Sequence, residues 1–266
     1  MAARAFPAMG TMVSLRLDGA RGAVGAGRAG THEATDEATD AALAAVTRSF
    51  ARWEARCSLF DEDSELSRVG SGELALTDAS EELRGAYELA LHWRSSTGGE
   101  FTPHRGDGVI DLNGVVKALA IAEAGTALED LGHRSWGVDA GGDVLVSALG
   151  PGGAPWRVGI VDPGDRRRLV GAVDLASDER RRAVATSGSA ERGDHIWTRA
   201  GDDRSPFLQV SVAAADIVTA DVLATAIVAG GRPALDEFAA RFDIDVLAVL
   251  HHGLLLATPG WPRAAA

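Results

Sequence analysis

Asp221 and Thr225 lie four residues apart in a stretch whose composition predicts a helix. Residues 220–229 are rich in Ala, Val and Ile, contain no Gly or Pro, and are followed by Gly230-Gly231. Residues four apart share one face of a helix, so the carboxylate and the hydroxyl would lie side by side. Two hard oxygen donors suit Mg²⁺ better than zinc. Spacing alone leaves a plain alternative open, in which Asp221 caps or flanks the helix start and Thr225 is an ordinary helix residue.

Two further segments carry groups that could bind or protonate a phosphate. In residues 111–117 a carboxylate precedes a glycine turn and Lys117, the only lysine of the chain. Backbone N–H groups at a helix start, aided by a cation, suit a phosphate-bearing ligand. The glycine spacing differs from that of a P-loop, so a purely structural helix start stays open. His195 follows Asp194 and could move a proton, although a lone histidine is more often a surface or core residue.

Short polar turns are the remaining candidates. Gly141-Gly142 before Asp143 predicts a hairpin turn, or a place where the backbone approaches a flat ligand closely. Thr186-Ser187-Gly188 could donate hydrogen bonds to phosphate oxygens or be an ordinary loop. Cys57 has no evident activating neighbour, so we expect it to be inert.

Composition limits the classes of partner. The chain has 266 residues, 46% of them hydrophobic, and a formal net charge of −12, which argues against nucleic acid and anionic membranes as partners. A single cysteine excludes an internal disulfide and fits a reducing compartment. No continuous apolar run is long enough to span a membrane, and a strand pattern begins by Thr11, which leaves no room for a signal peptide. We therefore expect a cytoplasmic protein, while the sequence leaves open whether a leader was removed.

Helices and strands neither alternate strictly nor segregate into an all-β array, which predicts an α+β fold. We expect one domain over residues 1–266, of one or two subdomains with the ligand cleft between them, a Gly-rich loop at 19–30 and a tail at 259–266. Asp78 and Glu81 form a capping box for a helix ending near residue 95. The predicted helices are 33–56, 78–95, 113–131, 220–229 and 235–242. The predicted strands are 12–17, 109–111, 136–139, 143–147, 156–161, 169–175, 182–185, 208–212, 246–250 and 254–257.

The order of these short motifs along the chain is more specific than any one of them. They are Met9-Gly10-Thr11, 58–67, Phe101-Thr102-Pro103, 111–117, Gly141-Gly142-Asp143, 156–163, Thr186-Ser187-Gly188, His195-Ile196 and 221–225. This series resembles the ApbE family of FAD:protein FMN transferases, from about residue 6 to 258.

The resemblance implies an enzyme that splits the pyrophosphate of FAD and moves FMN onto a Ser or Thr hydroxyl of an acceptor protein, releasing AMP. It also implies that Asp221, Thr225 and the backbone carbonyl of Val116 hold Mg²⁺. Residues expected around FAD are Met9, Phe60, Asp111, Asn113, Gly114, Lys117, Gly141, Gly142, Thr186, Ser187 and His195.

For the chemistry we expect Asp221 or His195 to act as the base and Lys117 to orient the site, because a hydroxyl is a poor nucleophile near neutral pH. Two other functions stay open: an Mg²⁺-dependent FAD pyrophosphatase that uses water, and a flavin-binding module without catalysis. Departures from the family pattern at Ala118 and Trp197-Thr198 would favour the module. The acceptor protein and the oligomeric state cannot be predicted from the sequence.

Overall fold

The computed structural model describes residues 2–18, 31–148, 150–176, 180–188 and 205–262. The Gly-rich loop 19–30, the candidate His195 and the end of the predicted tail lie outside these residues. Five helices are described: α1 (Thr31–Cys57), α2 (Glu65–Gly70), α3 (Glu81–Ser96), α4 (Asn113–Asp130) and α5 (Ile217–Arg241). Helices combined with antiparallel sheets confirm the predicted α+β fold.

One eight-stranded antiparallel sheet runs through the described chain in the order β1-β2-β3-β4-β7-β8-β9-β10. A separate two-stranded ribbon is formed by β5 and β6. The strands are β1 (Ala2–Ala8), β2 (Thr11–Leu17), β3 (Trp136–Ala140), β4 (Asp143–Val146), β5 (Trp156–Asp162), β6 (Asp165–Leu175), β7 (Ala183–Gly188), β8 (Phe207–Ala214), β9 (Asp245–Leu250) and β10 (Leu255–Ala257).

Alternation along the strands gives the sheet two buried faces. On β7, Ala183 and Ala185 pack into the larger core, which contains the inward faces of the long helices. Val184 points the other way and packs with Trp156 and Leu175 of the ribbon and with Trp261. Because successive strand residues face opposite sides, the helices cover one face of the sheet and the ribbon covers part of the other.

Helix α5 runs through the larger core and bends at Gly231, whose φ is 64°. The predicted stop after residue 229 is therefore a kink, and the two predicted helices form one long element with Pro233 just past the bend. Among the described helices, α5 is the one long and apolar enough to cross a membrane, but most of that stretch is buried inside the protein. It packs against α4, β7 and β8.

Several predicted elements need correction. Strand β1 was not predicted, and it pairs with β2 through a two-residue turn at Met9-Gly10. In place of the predicted strand 109–111, Ile110 forms an isolated bridge with His104, since the backbone hydrogen bonds of Val109 and Asp111 close a local loop with Arg105 and Pro103. Helix α3 is capped by Ser80, whose hydroxyl accepts a hydrogen bond from the Leu83 amide, whereas Asp78 ends a preceding 3₁₀ turn. The predicted loop 58–67 contains the start of α2.

Two helical glycines should respond oppositely to substitution by alanine. A Cβ at Gly125 would lie 2.6 Å from Trp136 Cη2, whereas a Cβ at Gly85 would meet no atom within 4 Å. We expect Gly85→Ala to raise the free energy of unfolding by about 0.5–1 kcal/mol through helix propensity. Gly125→Ala should lower it by about 1–3 kcal/mol through overpacking. Urea unfolding measures both, and a stabilised Gly125→Ala variant would contradict the packing described.

Candidate functional site

Three of the predicted motifs meet at one edge of the eight-stranded sheet. Pairing of Val13 with Ala140 brings the start of β2 beside the end of β3. Val144 pairs with Val184 near the start of β7, and the Thr186 amide, further along β7, donates to Asp143 Oδ1 at the start of β4. The turns at Met9-Gly10 and Gly141-Gly142 and the segment Thr186-Ser187 therefore lie next to each other, although they are far apart in sequence.

The Gly141-Gly142 segment is a two-residue hairpin turn, as its sequence predicted. Both residues have positive φ, 66° and 94°, as a type I′ turn requires. A Cβ at Gly141 would lie 2.4 Å from Thr11 Oγ1, so glycine is needed there for packing as well. The Gly142 amide donates to Asp139 Oδ1 at 2.9 Å. Burial raises the pKa of Asp139, and this amide partly opposes the shift.

A buried ion pair ties the second predicted segment to this edge. Lys117, on the second turn of α4, pairs with Asp143 at the start of β4; their side chains are 12% and 0% exposed. Asp143 Oδ1 also accepts a hydrogen bond from the Thr186 amide at 3.0 Å. Sequence reasoning places Asp143 in a motif but does not identify it as a site residue. The signal was a carboxylate placed on a strand of otherwise apolar residues in a chain with one lysine.

Asp221 and Thr225 occupy consecutive turns of α5. The helix is capped by Asp216, whose Oδ1 accepts a hydrogen bond from the Thr219 amide at 2.8 Å, so the alternative that Asp221 is the cap is wrong. Asp221 is only 4% exposed. A carboxylate is buried at a cost unless hydrogen bonds or positive charge compensate it.

The side chain of Thr225 contacts the sheet. Its Oγ1 lies 3.0 Å from Ser187 Oγ, which joins α5 to the end of β7. Val116, the third expected ligand, is buried on α4, and α4 packs against α5. Within the described residues no three or more His, Cys, Asp or Glu side chains cluster as a metal site. The expected set is of another kind, one carboxylate, one hydroxyl and one backbone carbonyl, and such oxygen donors fit Mg²⁺.

The start of α4 is engaged mainly in local structure. The Asn113 amide donates to Asp111 Oδ1 at 2.9 Å, and the amides of Val115 and Val116 donate to the Leu112 carbonyl. A Cβ at Gly114 would lie 2.7 Å from Phe101 Cε2, so this glycine admits the phenyl ring. These contacts account for the local structure of this helix start, and its role in binding FAD stays a prediction.

Ala118 follows Lys117 directly on α4. Its side chain is fully buried in the larger core. The departure from the family pattern at this position therefore lies in the core, and whether it affects activity stays a prediction.

An open groove of about 480 Å³ runs beside the first hairpin turn, lined by residues 7–12 and Glu54. The Met9 amide donates to Glu54 Oε1 at 3.1 Å, which ties the turn to α1. Phe60, in the loop that follows α1, is 97% exposed. A large aromatic side chain so fully exposed is unusual and suits contact with a planar ligand.

Cys57 is buried at the end of α1, and burial raises the pKa of its thiol to about 12. The thiolate is the reactive form, so the folded protein should resist thiol reagents at pH 8. We expect the native protein to release no thionitrobenzoate from the reagent dithionitrobenzoate, and the protein in 8 M urea to release one equivalent. Rapid labelling of the native protein would show that this part of the core is open.

Breaking the buried Lys117–Asp143 pair should cost far more stability than breaking an exposed pair. Asp143→Asn removes the charge that Asp143 places against the buried Lys117 ammonium, and we expect a loss of about 3–5 kcal/mol. The control is Asp236→Asn, which removes an ion pair with Arg232 whose two side chains are each 57% exposed. That change should cost under about 0.5 kcal/mol. Equal losses in urea unfolding would show that the Lys117–Asp143 pair is not buried as described.

Solved structures share this fold over nearly the whole chain. The ApbE protein of Thermotoga maritima has a TM-score of 0.77 at 20% identity and covers 97% of both chains. The flavin transferase ApbE of Vibrio cholerae has a TM-score of 0.72 at 19% identity, also over 97% of both chains. The apo form of the flavinyl transferase ApbE of Pseudomonas stutzeri has a TM-score of 0.75 at 21% identity, over 97% of this chain and 94% of that one.

Sequence similarity identifies a protein family for this chain but no individual curated relative. No curated protein matches the chain. The sequence profile of the ApbE family matches residues 103–250, a stretch that includes Lys117, Asp143, Ser187 and Thr225. That match covers more than half of the 266 residues. The chain therefore belongs to the ApbE family.

Proposed function

We propose that the protein is a flavin transferase that moves FMN from FAD onto a Ser or Thr hydroxyl of an acceptor protein. The observation that carries this proposal is a chain of contacts in a protein of the ApbE family. Asp143, paired with Lys117, holds the Thr186 amide, and the next residue, Ser187, contacts Thr225, one helical turn from Asp221. Two proteins with the same fold, from Vibrio cholerae and Pseudomonas stutzeri, are flavin transferases by name.

The flavin would bind beside the first hairpin turn. The exposed ring of Phe60 and the partly exposed Met9 offer apolar surface to the isoalloxazine ring system. The Gly141-Gly142 turn, which carries no side chains, lets the backbone approach the ligand closely. Asp111 and Asn113 at the α4 start and the hydroxyls of Thr186 and Ser187 are proposed to contact the rest of FAD.

Asp221, Thr225 and the backbone carbonyl of Val116 are the residues that would hold Mg²⁺. When bound, Mg²⁺ would act as a Lewis acid toward the phosphoryl oxygens of the pyrophosphate. Lys117 lies near the same edge, paired with Asp143, and its proposed role is to orient the site and to balance charge.

The proposed reaction is a displacement at phosphorus. The acceptor hydroxyl oxygen forms a new bond to the phosphorus of the FMN half, and the bond to the AMP oxygen breaks. The hydroxyl proton passes to a base, for which Asp221 and His195 remain the candidates. AMP leaves with the electron pair of the broken bond, and FMN stays on the acceptor as a phosphoester.

The acceptor is proposed to be a cytoplasmic protein with a short segment containing Ser or Thr. The net charge of −12 disfavours nucleic acid and anionic membrane surfaces as alternative partners.

The test is AMP release from FAD and Mg²⁺, measured by chromatography with and without a bacterial lysate as a source of acceptor. We expect wild type and the control Asp236→Ala, on the exposed part of α5, to release AMP. Asp221→Ala or added chelator should reduce the rate by at least about 10²-fold, because transition-state charge is no longer stabilised.

The products distinguish the alternatives. FMN attached to a lysate protein, detected by its mass, supports transfer. Free FMN with AMP indicates a pyrophosphatase, and intact bound FAD in all samples indicates a binding module. Failure of the wild type to bind FAD would contradict the proposed site as a whole.

A further inference from the structure

The hydroxyls of Ser187 and Thr225 form a direct contact between the sheet edge and α5. Ser187 Oγ lies 3.0 Å from Thr225 Oγ1, within hydrogen-bonding distance, and either hydroxyl can be the donor. Both side chains are partly buried. The preceding residue, Thr186, directs its hydroxyl to Ser211 Oγ at 2.8 Å, on the other face of the sheet.

The direction of this hydrogen bond follows from what Thr225 is proposed to do. A hydroxyl that offers a lone pair to a cation must point its proton away from that cation. Ser187 Oγ is placed to accept that proton. We propose that Ser187 is a positioning residue, which orients the Thr225 hydroxyl so that its lone pair faces the Mg²⁺ position next to Asp221. This inference rests on the proposed function, since it assumes that Asp221 and Thr225 hold the metal.

The sheet keeps Ser187 in place. Strand β7 pairs with β8 in a register that sets Ser187 opposite Val210. The Thr186 amide is held by Asp143 at 3.0 Å. A slip of one residue would turn Ser187 to the opposite face of the sheet. The ion pair of Lys117 with Asp143 therefore acts on the metal site indirectly, through the end of β7.

This role differs in a measurable way from direct phosphate contact, the role first expected for Ser187. A residue that orients a ligand of the metal changes metal affinity, typically by about 10–100-fold when it is replaced. A residue that contacts phosphate changes the affinity for FAD even when no metal is present.

The experiment measures thermal stabilisation by Mg²⁺ at saturating FAD, and FAD affinity in EDTA by fluorescence. For Ser187→Ala we expect the Mg²⁺ concentration at half-maximal stabilisation to rise by about 10–100-fold, with FAD affinity in EDTA unchanged. Ser187→Thr keeps a hydroxyl and should restore the wild-type Mg²⁺ requirement. The matched control Ser211→Ala removes the neighbouring hydroxyl on the other face and should leave that requirement unchanged.

Two results would overturn the inference. One is a Ser187→Ala variant that is shown by circular dichroism to be folded and that needs the same Mg²⁺ concentration as wild type. The other is weaker FAD binding in EDTA with an unchanged Mg²⁺ requirement, which would assign Ser187 to phosphate contact. Failure of the proposed function looks different: wild type itself would then show no Mg²⁺-dependent stabilisation that Asp221→Ala removes.

Discussion

The buried pairing of Lys117 with Asp143 is the interaction on which the rest of the site depends. It joins the second turn of α4 to the start of β4, and through Asp143 it also holds the amide of Thr186 on β7. Two charges this far from water are stable only when each is compensated. The pair therefore restricts how α4, β4 and β7 can be placed relative to one another, and it sets the end of β7 against α5.

Antiparallel pairing then brings the candidate site residues together at a single edge of the sheet. Each hairpin returns the chain to the same side of the sheet, so turns separated by more than a hundred residues become neighbours. Met9-Gly10 and Gly141-Gly142 have positive φ and present backbone at this edge. Helices α4 and α5 pack side by side over the adjacent face and add Lys117, Asp221 and Thr225. The sheet supplies backbone, the hydroxyls of Thr186 and Ser187 and the Asp143 carboxylate, and the helices supply Lys117, Asp221 and the Thr225 hydroxyl.

Most of the correctly predicted helices and strands follow from local sequence patterns. The helices from residue 31, 81 and 113 and nearly all internal strands follow from apolar periodicity and glycine punctuation. The misses have physical causes. Strand β1 is mostly exposed and its alternation is weak, so only pairing with β2 defines it. Gly230-Gly231 predicted a helix end, yet packing of Phe238 and Leu235 in the same core continues α5 beyond the kink.

The sequence by itself determined the residue types of the site, the helical spacing of Asp221 and Thr225 and the order of motifs that indicates the family. Only the tertiary structure decided which of these groups meet. It placed Asp143 with Lys117, Ser187 with Thr225 and Gly114 against Phe101, and it buried Ala118 in the core. The reason is that spacing along the chain defines neighbours within one helix or strand, whereas contacts between elements depend on strand register and helix packing.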